Sequence, residues 1–376
     1  MNSKQTNIDD LHFDAVNLLK QLIAIPSFSK EENKTADCLE NFLQQKNIKT
    51  NSYLNNVWAT NKNFKDTKPT ILLNSHHDTV RPNIKYTLNP YDPAEKDGKL
   101  YGLGSNDAGG PVVSLLSTFI YFYEADIPFN IIFAGTAEEE ISGKNGVEIL
   151  LTQLPKIDCA IVGEPTLLNM AVAEKGLLVL DCIAHGKAGH AARNEGVNAL
   201  YIAMKDINWL STYKFPKVSS LLGPVHIAVT SINSENKTHN VVPSECSFLV
   251  DIRINELYSF EELIDALKEN MVSEIHPRSI RLKPSFIEEN HPLVKAGRKM
   301  GIASYGSPTS SDMALMDFPS LKIGPGDSAR SHSADEFIFV NEIKEGIKTY
   351  IQLLENFGNE LGNSENKNNE TLAKKY

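Results

Sequence analysis

Residues 69–80, PTILLNSHHDTV, begin as an aliphatic run and end in two histidines and a carboxylate. The apolar part shows no alternation, which is the pattern of a short strand covered on both faces. Strands of that kind sit inside parallel sheets, and open parallel sheets carry their sites just beyond the carboxyl ends of the strands. His76, His77 and Asp78 therefore fall where a site belongs, and the run itself does not say which histidine takes part.

The same arrangement recurs along the chain. FNIIFAGT (129–136) is followed by Glu138, Glu139 and Glu140, and CAIVGEP (159–165) delivers Glu164. KLYGLGS (99–105) leads to Asn106 and Asp107, and GPGDSARS (324–331) leads to His332. Helical spacing over 10–24, 31–46, 111–124 and 340–357 places helices between these strands, as in an α/β fold with a mostly parallel sheet flanked by helices.

The texture changes after Glu174. GLLVLDCIAHG (176–186), VHIAVTSIN (225–233) and ECSFLVDIRIN (245–255) carry period-two features, with helical stretches near 195–211 and 259–271. A small α+β domain inserted over 176–286 accounts for them, leaving residues 1–175 and 287–376 to form the larger domain. The polar, Asn-rich tail 358–376 reads as disordered.

Composition narrows the function classes. A net charge of −10 argues against a nucleic-acid partner, because phosphate binding needs a basic surface. The four cysteines form no C-x-x-C pair, which argues against a thiolate zinc finger or a redox motif. The opening MNSKQTNIDD lacks the apolar core of a signal peptide, and PVVSLLSTFIYFY (111–123) is too short and too rich in hydroxyls to span a bilayer. A cytoplasmic protein with no membrane partner is expected. GLGSNDAGG (102–110) is spaced G-x-G-x-x-x-x-G, which does not match the dinucleotide loop G-x-G-x-x-G and disfavours an oxidoreductase.

Two histidines with several carboxylates suit a pair of divalent ions. Imidazole favours zinc, and carboxylates can bridge two ions while offsetting their charge. Water shared by two such ions becomes acidic enough to react near neutral pH. Glu139 and Glu140 are adjacent, so their side chains diverge; one can bind metal while the other acts as general base.

The motifs SHHDTV, GLGSNDAGG, TAEEEISG, VGEPT, GKAGHAARNEG, HNVVP, VDIR, SDMALM and GPGDSARSHSADE together resemble the family of co-catalytic zinc aminoacylases and deacetylases. The likeness runs from about residue 10 to 357 and is greatest to its acetylornithine deacetylase branch, with succinyl-diaminopimelate desuccinylases also similar. The resemblance implies a zinc-peptidase-like catalytic domain with an inserted dimerisation or lid domain. It implies that His76, Asp107 and Glu164 hold one Zn2+, and that Asp107, Glu140 and His332 hold a second, with Co2+ a possible substitute. Asp78 would orient His76, Glu139 would be the general base, and a cis peptide would join Asp107 to Ala108. Strand alternation agrees, since His76 and Asp78 share a face and His77 points the other way.

The resemblance also implies a homodimer formed through the inserted domain. His190 would then donate to the oxyanion in the partner's site, Arg253 would clamp the substrate α-carboxylate, and Asn240 would help hold substrate. Two positions depart from the family pattern: Glu138 replaces a usual Asp, and Gly109 stands where a lysine is common. The expected reaction is deacylation of a small N-acyl amino acid, with N-acetyl-L-ornithine, giving ornithine and acetate for arginine biosynthesis, as the first choice. N-acetylcitrulline, N-succinyl analogues and dipeptides are rival substrates. A metal-free binding protein that kept the fold is the non-enzyme alternative.

Overall fold

The computed structural model describes residues 7–193, 195–234 and 236–373, with side chains through 362. The strands that carry the two cores and the site are β1 (Asn56–Thr60), β2 (Thr70–His76), β3 (Asn130–Thr136), β4 (Cys159–Val162), β5 (Met170–Glu174), β6 (Gly176–His185), β7 (His226–Asn233), β8 (Glu245–Ile254), β9 (Glu274–Pro277) and β10 (Ser320–Lys322), with shorter strands beside them.

The chain divides into two units. The first comprises residues 1–172, 287–305 and 311–376, and the second residues 173–286 and 306–310. The sequence reading put the insert at 176–286. The added segment 306–310 joins through hydrogen bonds to the Lys175 backbone, whose N–H donates to the Ser307 carbonyl (3.1 Å) and whose carbonyl accepts Ser310 Oγ (2.8 Å), which residue types do not advertise.

The central strands of the nine-stranded sheet run β1–β3–β2–β4–β10–β5. Strand β2 lies parallel to β3 on one side and to β4 on the other, and β4 is parallel to β10. The antiparallel pairs are β1 with β3 and β10 with β5. All seven residues of β2 and all seven of β3 are buried, as their unbroken apolar runs require. The helix Gly110–Phe122 is also buried nearly all round. Two of its hydroxyls bond back within the helix, Ser114 Oγ donating to the Gly110 carbonyl (2.7 Å) and Thr118 Oγ1 to the Ser114 carbonyl (2.9 Å). Such a segment suits a protein core. Among the described residues, no helix is long and apolar enough to cross a membrane.

The second unit is an antiparallel sheet, β7–β8–β6–β9, with the helices Ala199–Thr212 and Phe260–Asn270. Burial alternates strictly along β6 and β8. Leu178, Leu180 and Cys182 of β6 and Phe248, Val250 and Ile252 of β8 share one core with Ala203, Leu210, Leu263 and Leu267 of the helices. A capping box between Ser259 and Glu262 starts the second helix.

The closing helix extends over Val340–Ala373, so most of the tail expected to be disordered is helical. Low hydrophobicity removes packing, but this tail has no proline, and its Glu, Leu and Lys residues are good helix formers. Residues 374–376 of that tail, like residues 1–6 of the polar start, lie outside the described residues.

Leu72 is fully buried at the centre of β2. Leu72→Ala is expected to cost about 2–5 kcal/mol of stability, read as a lower urea midpoint at unchanged m.

Candidate active site

The carboxyl ends of β2, β3 and β4 place their following residues at one edge of the first sheet. His76 closes β2, Glu139 and Glu140 begin a short helical turn after β3, and Glu164 follows β4. Asp107 comes from the turn Ser105–Gly109 that leads into the buried helix, and its peptide bond to Ala108 is cis.

His76 Nε2 lies 3.2 Å from Asp107 Oδ1, 3.7 Å from Glu164 Oε1 and 3.9 Å from Glu139 Oε2. His332 Nε2 lies 3.0 and 3.2 Å from the two oxygens of Glu140 and 3.7 Å from Asp107 Oδ2. Asp107 thus turns one oxygen to each histidine. Two overlapping sets, His76 with Glu139 and Glu164 and His76 with Asp107 and Glu140, keep their donor atoms within 4.8 Å of one another.

The two adjacent histidines differ completely. His76 Nδ1 sits 3.0 Å from the Asp78 carbonyl and 3.4 Å from its carboxylate, which leaves Nε2 facing the acidic cluster. His77 is buried with both ring nitrogens engaged: Nε2 donates to the Asn55 carbonyl (2.9 Å), and Nδ1 meets Thr35 Oγ1 (2.9 Å). Burial holds the His77 pKa below the ordinary histidine value, consistent with a neutral ring.

Asp78 contacts more than His76. Its carboxylate accepts Ser29 Oγ (2.7 Å) and the backbone N–H groups of Glu139 (3.1 Å) and Glu140 (3.2 Å). One side chain therefore ties the end of β2 to the turn that carries both glutamates.

The electrostatics are those of a site short of positive charge. Burial, followed by neighbouring carboxylates, raises Glu139 well above the usual range even though His76 opposes the shift. Burial, with Asp107 adding to it, pushes Glu164 to about 8. The hydrogen bond to Glu140 raises His332 to about 9. Burial alone would depress His76, but Asp107 and Asp78 outweigh it and lift the ring well above its ordinary value. This donor set of imidazole nitrogens and clustered carboxylates, with no thiolate, fits two divalent cations.

His190, Asn240 and Arg253 belong to the second unit. His190 pairs across a short ladder with Val241, and the N–H of Ala191 donates to the Asn240 carbonyl (3.0 Å), so these two residues are neighbours. The N–H of Ala192 donates to His190 Nδ1 (3.2 Å). Arg253 gives its fork to Asp251, at 2.8 and 3.0 Å.

Four further residues support the site without having been assigned a role from sequence. Asp312 is buried and accepts Asn74 Nδ2 (2.7 Å) and Thr136 Oγ1 (2.9 Å), bracing the ends of β2 and β3. Glu32 is buried and accepts the N–H of Glu138 (3.2 Å) and the Asn55 amide (2.8 Å). Asn106 and Glu336 hold the Asp107 turn. Asp312 and Glu336 lie inside SDMALM and GPGDSARSHSADE, which was the available signal. Glu32 stands at the N-cap of the helix Asn33–Gln45, in an ordinary charged stretch, and gave none.

Residues 72–356 match the model of peptidase family M20/M25/M40. A succinyl-diaminopimelate desuccinylase of Rickettsia bellii (strain OSU 85-389) is 29% identical over 273 residues, covering 67% of this chain and 69% of the relative. An acetylornithine deacetylase of Buchnera aphidicola subsp. Schizaphis graminum is 27% identical over 375 residues, covering 91% of this chain and 97% of the relative. Among solved structures, a tripeptidase from Staphylococcus aureus subsp. aureus superposes with a TM-score of 0.75 at 20% identity, over 93% of this chain and 99% of that one.

The contrast between the histidines is testable by metal analysis after dialysis. His76→Ala should lose a tightly held divalent ion. His77→Ala should keep the wild-type metal content but melt at a lower temperature, because Thr35 and Asn55 lose a buried partner worth about 1–3 kcal/mol. Equal metal loss in both variants would remove the distinction.

Proposed function

Because the chain belongs to peptidase family M20/M25/M40 and is a metal-dependent amidohydrolase, we propose that it hydrolyses the amide bond of a small N-acyl amino acid. The observation that carries the reading is Asp107, with one oxygen toward His76 and the other toward His332, beside the carboxylate of Glu139.

His76, Asp107 and Glu164 would hold one ion, and Asp107, Glu140 and His332 the other. Zinc is the default for such donors, with cobalt able to substitute. When bound, a pair of divalent ions supplies Lewis-acid charge for the carbonyl and makes water a stronger acid. Glu139 does the proton work. Its carboxylate takes a proton from the attacking water and passes it to the leaving nitrogen.

His190 is the proposed donor to the developing oxyanion. Its Nδ1 accepts a backbone N–H, so in the neutral ring Nε2 carries the hydrogen and can donate. A homodimer formed through the second unit belongs to this proposal, because the family resemblance puts that histidine in the partner's site. Arg253 takes a substrate α-carboxylate by exchanging it for Asp251, with Asn240 beside His190 as a further polar contact.

Two substrates follow from the relatives: N-acetyl-L-ornithine, from the deacetylase that spans nearly the whole chain, and N-succinyl-diaminopimelate, from the desuccinylase. Both are N-acyl derivatives of an amino acid with a second amino group. The first leads toward arginine and the second toward lysine.

Purified, zinc-loaded protein should hydrolyse one of these two faster than N-acetylcitrulline or any unacylated dipeptide. Equal turnover of dipeptides would overturn the deacylase reading. Glu139→Gln should keep the wild-type metal content and lose roughly 10²–10⁴-fold in kcat; near-normal kcat in this variant would remove Glu139 from the base role.

A further inference from the structure

We propose that Glu336 is a positioning residue that sets the Asp107 turn for binding two divalent ions, a role that rests on the metal-site reading above. Glu336 stands four residues after His332 and is 2% exposed. Its Oε1 accepts the N–H groups of Asn106 (2.8 Å) and Asp107 (3.0 Å), and its Oε2 accepts the N–H of Gly104 (3.2 Å). Three backbone donors of one turn thus converge on one carboxylate, and the residue whose N–H sits in this grip is Asp107 itself.

The turn needs such an acceptor. Gly104, with a left-handed backbone (φ 74°), is the N-cap of this turn, so the N–H groups of Asn106 and Asp107 belong to the first-turn donors that have no partner within a helix. Donors aimed at one point form a nest that favours a negative charge. An uncharged amide of the same size would present N–H to N–H at one of these contacts.

A second tie runs in the opposite direction. The Asn106 amide accepts the N–H of Asp327 (3.0 Å) and donates to its carbonyl (3.1 Å), five residues before His332. The turn bearing Asp107 and the segment bearing His332 are therefore fixed to each other at two places. That geometry governs the Asp107 oxygens, which lie 3.2 Å from His76 Nε2 and 3.7 Å from His332 Nε2. A small rotation of the turn would shift both oxygens, so loss of Glu336 should weaken both ions together.

The adjacent carboxylate is a natural control. Asp335 accepts Thr87 N–H (2.8 Å), Thr87 Oγ1 (2.6 Å) and Leu88 N–H (2.9 Å), so it holds a different loop.

The test is calorimetric titration of Zn2+ into the chelator-stripped full-length chain, well below the melting temperature of each variant. Glu336→Gln should weaken both zinc-binding steps by about 10–100-fold, and Asp335→Asn should leave both unchanged. The Co2+-loaded Glu336→Gln protein should also show an altered visible spectrum, which a loss of global stability alone would not produce. Should Glu336→Gln fail to fold, Glu336→Asp carries the test: it keeps the charge one methylene short, and a several-fold weaker affinity supports the role. Wild-type affinity in a folded Glu336 variant overturns the proposal, as does an equal loss in Asp335→Asn. A wild-type chain that binds neither ion sinks the metal-site reading, and this proposal with it.

Discussion

Several carboxylates crowd the edge of the first sheet, and keeping them there is the constraint the local structure answers. Burying charge is costly unless it is hydrogen-bonded or paired. Much of the hydrogen bonding comes from backbone N–H groups. Asp78 takes those of Glu139 and Glu140, Glu32 that of Glu138, and Glu336 those of Gly104, Asn106 and Asp107. Each of these acids immobilises a turn that carries a proposed ligand or the proposed base. The carboxylates facing inward, Glu139 and Glu164, are left with pKa values raised by burial.

The departure at Glu138 shows the same logic at one residue. Its backbone is left-handed (φ 57°), a strained conformation for a glutamate. Its longer side chain folds over the turn to accept the N–H (3.3 Å) and side-chain amide (3.0 Å) of Asn145. A Cβ at Gly143 would come within 2.0 Å of Glu138 Oε2 and 2.5 Å of Glu138 Cβ, so residue 143 has no room for a side chain beside this turn. Glu138 thus stays a turn-building acid, and the contrast with the usual Asp lies in reach rather than chemistry.

How far the molecule could be read in advance follows from what leaves a mark on residue type. The unbroken apolar run of β2 and the alternation in β6 and β8 are side-chain patterns, so the doubly covered sheet of the first unit and the singly covered sheet of the second were visible in them. Histidines and carboxylates at strand ends are also residue types, so the cluster was visible too. Backbone donors leave no such mark. The main partners of Asp78 and Glu336 are N–H groups, which every residue except proline possesses, and so the turns they hold could not be inferred. The same holds for segment 306–310, joined to the second unit partly through the Ser307 carbonyl. The tail misled for a different reason: its composition reports the absence of a core to pack against, while its backbone keeps a helix that composition does not forbid.

Arg253 shows where the period of a strand informs and where it stops. Asp251 and Arg253 are two residues apart on β8, so alternation puts them on one face, as it does His76 and Asp78. In one case the neighbour lies against the ring of a proposed ligand; in the other it already occupies the guanidinium. The difference lies in burial. Asp78 is fully buried and gathers four polar hydrogens or ring contacts, so nothing entering from solvent can replace it at low cost. The Arg253 and Asp251 side chains are 29% and 27% exposed, and pairs open to water to that degree contribute only about 0–1 kcal/mol. Replacing Asp251 with another carboxylate would trade one such contact for a similar one, while the freed aspartate returns to water. An occupied fork at that position is therefore compatible with a carboxylate-binding role, as a fork locked into a fully buried pair would not be.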